Sequence, residues 1–256
     1  MSILIEFIVD KLKVKVIETR DEMGKTAGNE IADKIRELQS KKSEINMIFA
    51  AAPSQNEVLE TLVESKEIDW SKVNAFHMDE YVGLPSSAPQ GFGNFLKNRI
   101  FGKLNFKSVA YINGCAENPD DECARYSELL KKHPIDIACM GIGENGHIAF
   151  NDPWVADFND KLMVKVVALD EVCRQQQVND GCFEKLSDVP KNALTLTIQT
   201  IISGTYLFCS VPAKTKANAV KSTVKGEISE ECPATILRKH ENAVLYCDAD
   251  SGRDIL

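Results

Sequence analysis

The sequence predicts an α/β fold in one domain spanning residues 1–256: a mostly parallel, twisted sheet with helices on both faces. Three observations predict it. Residues 45–51, 73–78 and 135–140 form short runs that are apolar almost throughout, as strands covered on both faces are. Between them lie segments whose apolar residues recur at helical spacing. The two kinds alternate along the chain, which is the pattern of βαβ units in a parallel sheet. A length of 256 residues with 44% hydrophobic residues suits one large domain with a sizeable core. No internal repeat, low-complexity tract or linker divides it.

In chain order, residues 3–19 (IEFIV, then VKVI) read as extended. Asp21 then caps a helix whose apolar face is Met23, Ala27, Ile31, Ile35 and Leu38. Strand 45–51 ends in the turn Ala52-Pro53-Ser54-Gln55. A helix follows with Val58, Leu59, Leu62 and Val63 on one face. Strand 73–78 stops at Asp79. Phe92, Phe95, Leu96 and Ile100 mark the next helix, and 109–112 a short strand. Pro119 opens a helix at its first turn, with Tyr126, Leu129 and Leu130 apolar. The central strand 135–140 comes next, and segments 163–169, 194–198 and 205–211 are strand-like. Thr215 caps a helix to about Val224 that Gly226 stops, and 243–247 is the last strand.

The formal net charge of −8 argues against nucleic acid or an anionic membrane as the main partner. An anionic ligand would therefore need a local basic pocket in an acidic protein. No apolar run is long enough to span a bilayer. The start, MSILIEFIVDKLKV, carries acidic residues inside its apolar part and is unlike a signal peptide, so a cytoplasmic protein is expected. The eight cysteines are irregularly spaced and include no C-x-x-C pair. A zinc ribbon is not supported, and reduced, mostly buried thiols are expected.

The chemistry is expected in residues 136–153, DIACMGIGENGHIAFNDP. A buried strand ends in Gly141, Gly143 and Gly146, which let the backbone turn tightly and approach a ligand. His147 follows, and Asp152 and Pro153 close the segment. Ligands of open α/β sheets sit at the carboxyl ends of the strands. The three glycines also satisfy the dinucleotide fingerprint G-x-G-x-x-G, but that site needs a helix starting at the third glycine, and Pro153 would stop one almost at once. A purely structural turn would leave His147 and Asp152 without a role. Asp79 and Glu80 follow another strand end, flanked by apolar residues, where an ordinary acidic turn would be solvated. Ser54, by capping the turn after strand 45–51, would leave free N–H groups as an anion site. Lys216, in AKTKA at a helix start, reads by default as a surface lysine.

GIGENGHIAFNDP together with FHMDEYVGL (residues 76–84) resembles the two hallmark segments of the glucosamine-6-phosphate deaminase/isomerase family, in the right order. The likeness runs from about the first strand to Asp248 and implies a Rossmann-like sugar-phosphate isomerase fold. It also implies conversion of glucosamine 6-phosphate to fructose 6-phosphate and ammonia, without cofactor or metal, since acids and bases alone assist enolisation. Asp79 matches the family's proton-shuttling aspartate, which moves a proton between C2 and C1. His147 matches the histidine that opens the pyranose ring, a task for which imidazole titrates in the right range. Asn145 and Asp152 stand where the family has acids that orient that ring; Asp152 is one methylene shorter than the usual glutamate.

By the same resemblance, Ala51, Ala52, Ser54 and Gln55 occupy the place of a Gly-Gly-Thr-Pro-like phosphate loop. Glu80, Gly141 and Gly143 fall among the substrate-binding positions. Lys216 matches a phosphate-binding lysine ahead of a helix ending V-x-G, with Lys214 as its rival. Arg174, in CRQQQ, is the candidate to replace an arginine that the family carries further along, in a stretch from Asp170 to Phe183 that is longer here. A galactosamine-type substrate, a 6-phosphogluconolactonase activity and a non-catalytic sugar-phosphate sensor remain as alternatives. The expected partner is a phosphorylated amino sugar, with room for a homo-oligomer.

Overall fold

The computed structural model describes residues 3–179 and 181–256. The chain opens with an antiparallel hairpin of β1 (Ile3–Val9) and β2 (Leu12–Ile17), turning at Asp10 in the left-handed region. The helix α1 (Arg20–Gln39) is capped by Thr19, whose side chain accepts from the Glu22 N–H at 3.2 Å. Asp21, expected as the cap, lies instead inside the first turn, where its charge suits the helix dipole. The chain then runs through β3 (Ile45–Phe49), α2 (Asn56–Glu64), β4 (Val73–His77), β5 (Asp79–Tyr81) and α3 (Phe92–Leu96), which widens into a single turn over Lys97–Phe101. After β6 (Ser108–Ala110), α4 (Pro119–Lys132) starts with proline at its first position and the Asn118 side chain as cap. The remaining elements are β7 (Ile137–Met140), β8 (Val164–Ala168), α5 (Glu171–Asn179), β9 (Asn192–Leu196), α6 (Ile198–Ile202), β10 (Tyr206–Val211), α7 (Ala217–Lys225) and β11 (Ala243–Asp248).

The main sheet has eight strands in the order β1-β2-β11-β10-β7-β3-β4-β6, every neighbouring pair parallel except the edge hairpin. Its alternation sorts the core into two layers. Ile45, Met47 and Phe49 pack with Met23, Ala27 and Ile31 of α1 and Val58 and Leu62 of α2 on one face. Ile48 and Ala138 pack with Tyr126 and Leu130 of α4 and Val220 and Val224 of α7 on the other. Helices therefore cover both faces, which explains why the strands read as continuous apolar runs. The chain lays β3, β4 and β6 outward on one side of β7, then returns and lays β10 and β11 on the other. The crevice at the carboxyl ends of β3, β7 and β10 is such a switch point, where open α/β sheets hold ligands.

A separate antiparallel sheet, β5-β9-β8, departs from the sequence-based expectation, which placed residues 163–169 and 194–198 with the parallel strands. In β8 buried and solvent-facing residues mix, which marks a sheet with one wet face. The strand expected over 194–198 stops at Leu196 because Thr197 caps α6, accepting from the Thr200 N–H. Five of the eight cysteines are buried, in keeping with small apolar side chains in a core. No helix among the described residues is long and apolar enough to cross a membrane.

Candidate active site

A cavity of about 540 Å³ opens at the carboxyl ends of the central strands. Each neighbouring strand end supplies part of its wall. Ala51, Ala52, Pro53 and Ser54 follow β3, Asp79 follows β4, Gly141 and Gly143 follow β7, and Ala213, Thr215 and Lys216 follow β10. Phe92 and Phe150, stacked with ring centroids 5.6 Å apart, close one side.

Asp79 begins β5, after Met78 breaks the chain away from β4. His77 fixes that break. The Ile112 N–H donates to its Nε2 at 2.9 Å, so the proton sits on Nδ1, which donates to the Asp79 carbonyl at 2.9 Å. Burial pushes the His77 pKa down to about 4, so this ring stays neutral. The Asp79 carboxyl is buried and has no hydrogen-bond partner among the described residues. Burial, and then the nearby Glu80 charge, raise its pKa well above the ordinary carboxylate value. A carboxylate so placed is a strong base for a carboxylate, poised beside an apolar wall.

The second catalytic candidate is His147. Its loop is made by Gly143 N–H donating to the His147 carbonyl at 2.9 Å and Gly146 N–H donating to the Gly143 carbonyl at 3.1 Å, with Gly146 at φ +84°. The imidazole lies flat on Gly143, where an added Cβ would fall 2.1 Å from the ring's Cε1 and 2.2 Å from Nε2. Asn145 Oδ1 lies 2.8 Å from His147 Nδ1 and Asp152 Oδ1 lies 3.1 Å from it, while Asn145 Nδ2 donates to Asp152 Oδ1 at 2.8 Å. Two acceptors on one nitrogen put the proton on Nδ1 and leave Nε2 as the basic atom. Burial alone would raise the Asp152 pKa. The hydrogen bonds from His147, Asn145 and Cys173, with the histidine's charge, outweigh it and hold the carboxyl below its usual value. No helix follows Gly146; the chain makes a tight turn closed by the pairing of Ile148 with Asn151, so the dinucleotide fingerprint has no helix to complete it.

One strand links the two halves. In β9, Thr195 pairs with Asp79, its hydroxyl accepts from the Phe150 N–H at 3.1 Å, and the Leu196 carbonyl accepts from Asn151 Nδ2 at 2.8 Å.

Other sequence-based candidates divide. Ala51, Ala52, Ser54, Gly141, Gly143 and Lys216 line the cavity. Lys216 is buried at the start of α7, whereas its rival Lys214 is exposed and outside the cavity. Neither Ser54 nor Thr215 caps a helix; the Ser54 hydroxyl accepts from Gln55 Nε2 at 3.2 Å instead. Gln55 stands behind the wall, also donating to the Ser210 carbonyl and so tying the turn to β10. Glu80 does not reach the cavity. Its carboxylate accepts the N–H groups of Tyr81, Phe92 and Gly93 at 2.8–3.1 Å and so anchors the start of α3. Arg174 also lies outside the cavity lining. Its guanidinium donates to the Leu186 and Val189 carbonyls and braces the loop after α5. Sequence reasoning missed Arg20 and the amides Gln176 and Gln177, all of which line the cavity. The signal available for Arg20 was its place just after β2, at a helix start beside the same sheet edge. Among the described residues no group of three His, Cys, Asp or Glu side chains converges as a metal site.

The family model described as glucosamine-6-phosphate isomerases/6-phosphogluconolactonase matches residues 18–246. A glucosamine-6-phosphate deaminase of Listeria welshimeri is 35% identical over 228 residues, which cover 89% of this chain and 95% of that one. The deaminase of Bacillus cereus is 34% identical over 240 residues, 94% of this chain and 88% of that one. A solved monomeric glucosamine-6-phosphate deaminase superposes with a TM-score of 0.85 at 30% identity, covering 94% of this chain and 98% of its own. The 6-phosphogluconolactonase of Thermotoga maritima shares the fold, with a TM-score of 0.76 at 20% identity and coverage of 93% and 100%.

Proposed function

The chain belongs to the glucosamine-6-phosphate isomerase/6-phosphogluconolactonase family, and from that premise we propose that it converts glucosamine 6-phosphate and water to fructose 6-phosphate and ammonia. The observation that carries the reading is the pairing, across one cavity, of a carboxyl made basic by burial, Asp79, with an imidazole whose Nε2 is its basic atom, His147. In this reading His147 takes the proton of the anomeric hydroxyl and delivers it to the ring oxygen, opening the pyranose. Asp79 removes the C2 proton to give an enolamine and returns it to C1, leaving an imine at C2. Water adds to that carbon and ammonia leaves. Lys216, beside the Ser54 turn, takes the phosphate. Residues 1–256 act as one cytoplasmic domain, a reading supported by a main sheet that draws strands from both ends of the chain.

The test is ammonia release from the purified protein with glucosamine 6-phosphate, coupled to formation of fructose 6-phosphate. Turnover of galactosamine 6-phosphate alone, hydrolysis of 6-phosphogluconolactone alone, or tight binding without turnover would each replace the reading.

Lys216→Ala is expected to raise KM for the phosphorylated sugar about tenfold or more, with kcat changed far less, because charged hydrogen bonds contribute about 1.5–3 kcal/mol. An unchanged KM removes the lysine from phosphate binding.

Asp152→Glu is expected to lower kcat. The side chain is buried and already reaches His147 directly, so an extra methylene must displace either itself or the ring. Asp152→Asn should lower kcat further and shift the pH profile, since it removes the charge that stabilises the imidazolium. A clear gain in deamination with glutamate would show that the acid does not serve His147.

A further inference from the structure

Arg20 and Lys216 are the arginine and lysine side chains lining the cavity among the described residues. Arg20 is held as no ordinary surface arginine is. Its Nε donates to Glu57 Oε1 at 2.7 Å, and its Nη2 donates to Glu57 Oε2 at 3.1 Å and to the Pro53 carbonyl at 2.7 Å. That uses one edge of the guanidinium and leaves Nη1 without a hydrogen bond among the described residues. Glu57 is itself fixed, because α1 and α2 touch so closely at Gly24 that an added Cβ there would fall 2.2 Å from the Glu57 Cβ. The bond to Pro53 places the guanidinium next to the Ser54 turn, and Ser54 Oγ in turn lies beside Gly141. A phosphate monoester carries a charge of about −1.5 to −2 at neutral pH and offers three acceptor oxygens, more than one lysine satisfies.

We propose that Arg20 is a second phosphate-binding residue of this site, donating from Nη1 to the substrate's phosphate while Glu57 clamps the guanidinium and offsets its charge. The assignment rests on the reading of the ligand as a phosphorylated sugar, and it makes a prediction of sign that a purely structural tie between α1 and the Pro53 turn does not. Removing Arg20 weakens phosphate binding. Removing the charge of Glu57 strengthens it, because the guanidinium then acts without an adjacent carboxylate. If Arg20 only ties the turn, both changes loosen the turn and both weaken binding.

The experiment is calorimetric titration of inorganic phosphate into the wild type, Arg20→Gln and Glu57→Gln, beside the ammonia assay on the same proteins. Arg20→Gln is expected to weaken phosphate binding about tenfold or more, and to raise KM for glucosamine 6-phosphate with kcat changed far less. Glu57→Gln is expected to tighten phosphate binding a few-fold, on the scale of a partly exposed ion pair. Weaker binding in both variants, or unchanged binding in Arg20→Gln, overturns the proposal. If Arg20→Gln does not fold, the sign of the Glu57→Gln effect decides alone. A wild type that binds phosphate through Arg20 yet releases no ammonia would overturn the deaminase reading and leave Arg20 in place.

Discussion

Asp79→Asn should lower kcat by about 10²–10⁴-fold, the range of a lost general base, while making the protein more stable at neutral pH. The two effects have one cause. The carboxyl is buried, has no hydrogen-bond partner among the described residues, and is raised well above its ordinary pKa, first by burial and then by Glu80. A group whose folded pKa lies above its unfolded value favours the folded state below the unfolded pKa, and that contribution is lost as pH rises through the folded one. Once pH has passed the unfolded pKa, keeping a carboxyl in that buried place therefore weighs against folding, and the neutral amide carries no such cost. Melting temperatures of the two proteins should differ most at neutral pH and converge in acid. The same shift moves the acid limb of kcat/KM upward from where an ordinary carboxylate would put it. Activity within about tenfold of wild type removes Asp79 as the base, and a less stable variant at pH 7 removes the upward shift of its carboxyl.

Gly143→Ala should cost about 10²-fold in kcat and leave phosphate binding and folding intact. The backbone there is in no special conformation, so alanine is allowed; what it meets is the imidazole, at 2.1–2.3 Å. The ring cannot swing aside freely, because Asn145 and Asp152 hold Nδ1. It must tilt or shift, and displacements of about 1 Å cost on that scale when a proton is being passed. Kinetics near wild type would mean that Nε2 need not be where Gly143 sets it.

Several candidate residues could be placed together from the sequence because they are local along the chain. Asn145, His147 and Asp152 lie in one loop after one strand, so spacing alone brings them together. Asp79 follows a strand whose apolar run gives its end away. Lys216 was placed by the family resemblance, since its helix start alone reads as a surface lysine, and the fold buries it at the cavity. The misreadings share a different property. Glu80 looks like a twin of Asp79, yet successive residues of a strand point to opposite sides, and its side binds the N–H groups of α3. Arg174 was judged by charge, while its helix turns it toward carbonyls of its own loop. Arg20 sits far from the motifs in sequence and reaches them only through the sheet order. The β5-β9-β8 sheet was hidden for the same reason: antiparallel partners that lie far apart along the chain leave no turn between them to be recognised.

That small sheet has a consequence for how the protein comes into being. The side chains proposed to react, Asp79 and His147, belong to segments made well before β9, which ties those segments together through Thr195 and Leu196. A growing chain that has released Asp152 from the ribosome carries Asp79, Asn145, His147 and Asp152 and yet lacks the strand that ties their segments together. Closure waits on a long-range contact whose loop-entropy cost is met only when residue 196 is available. Activity should thus be among the last properties regained on refolding, after the helical signal and most core packing have returned. A chain nicked in the segment before β9 would keep its main sheet while loosening the tie between the Asp79 and His147 segments.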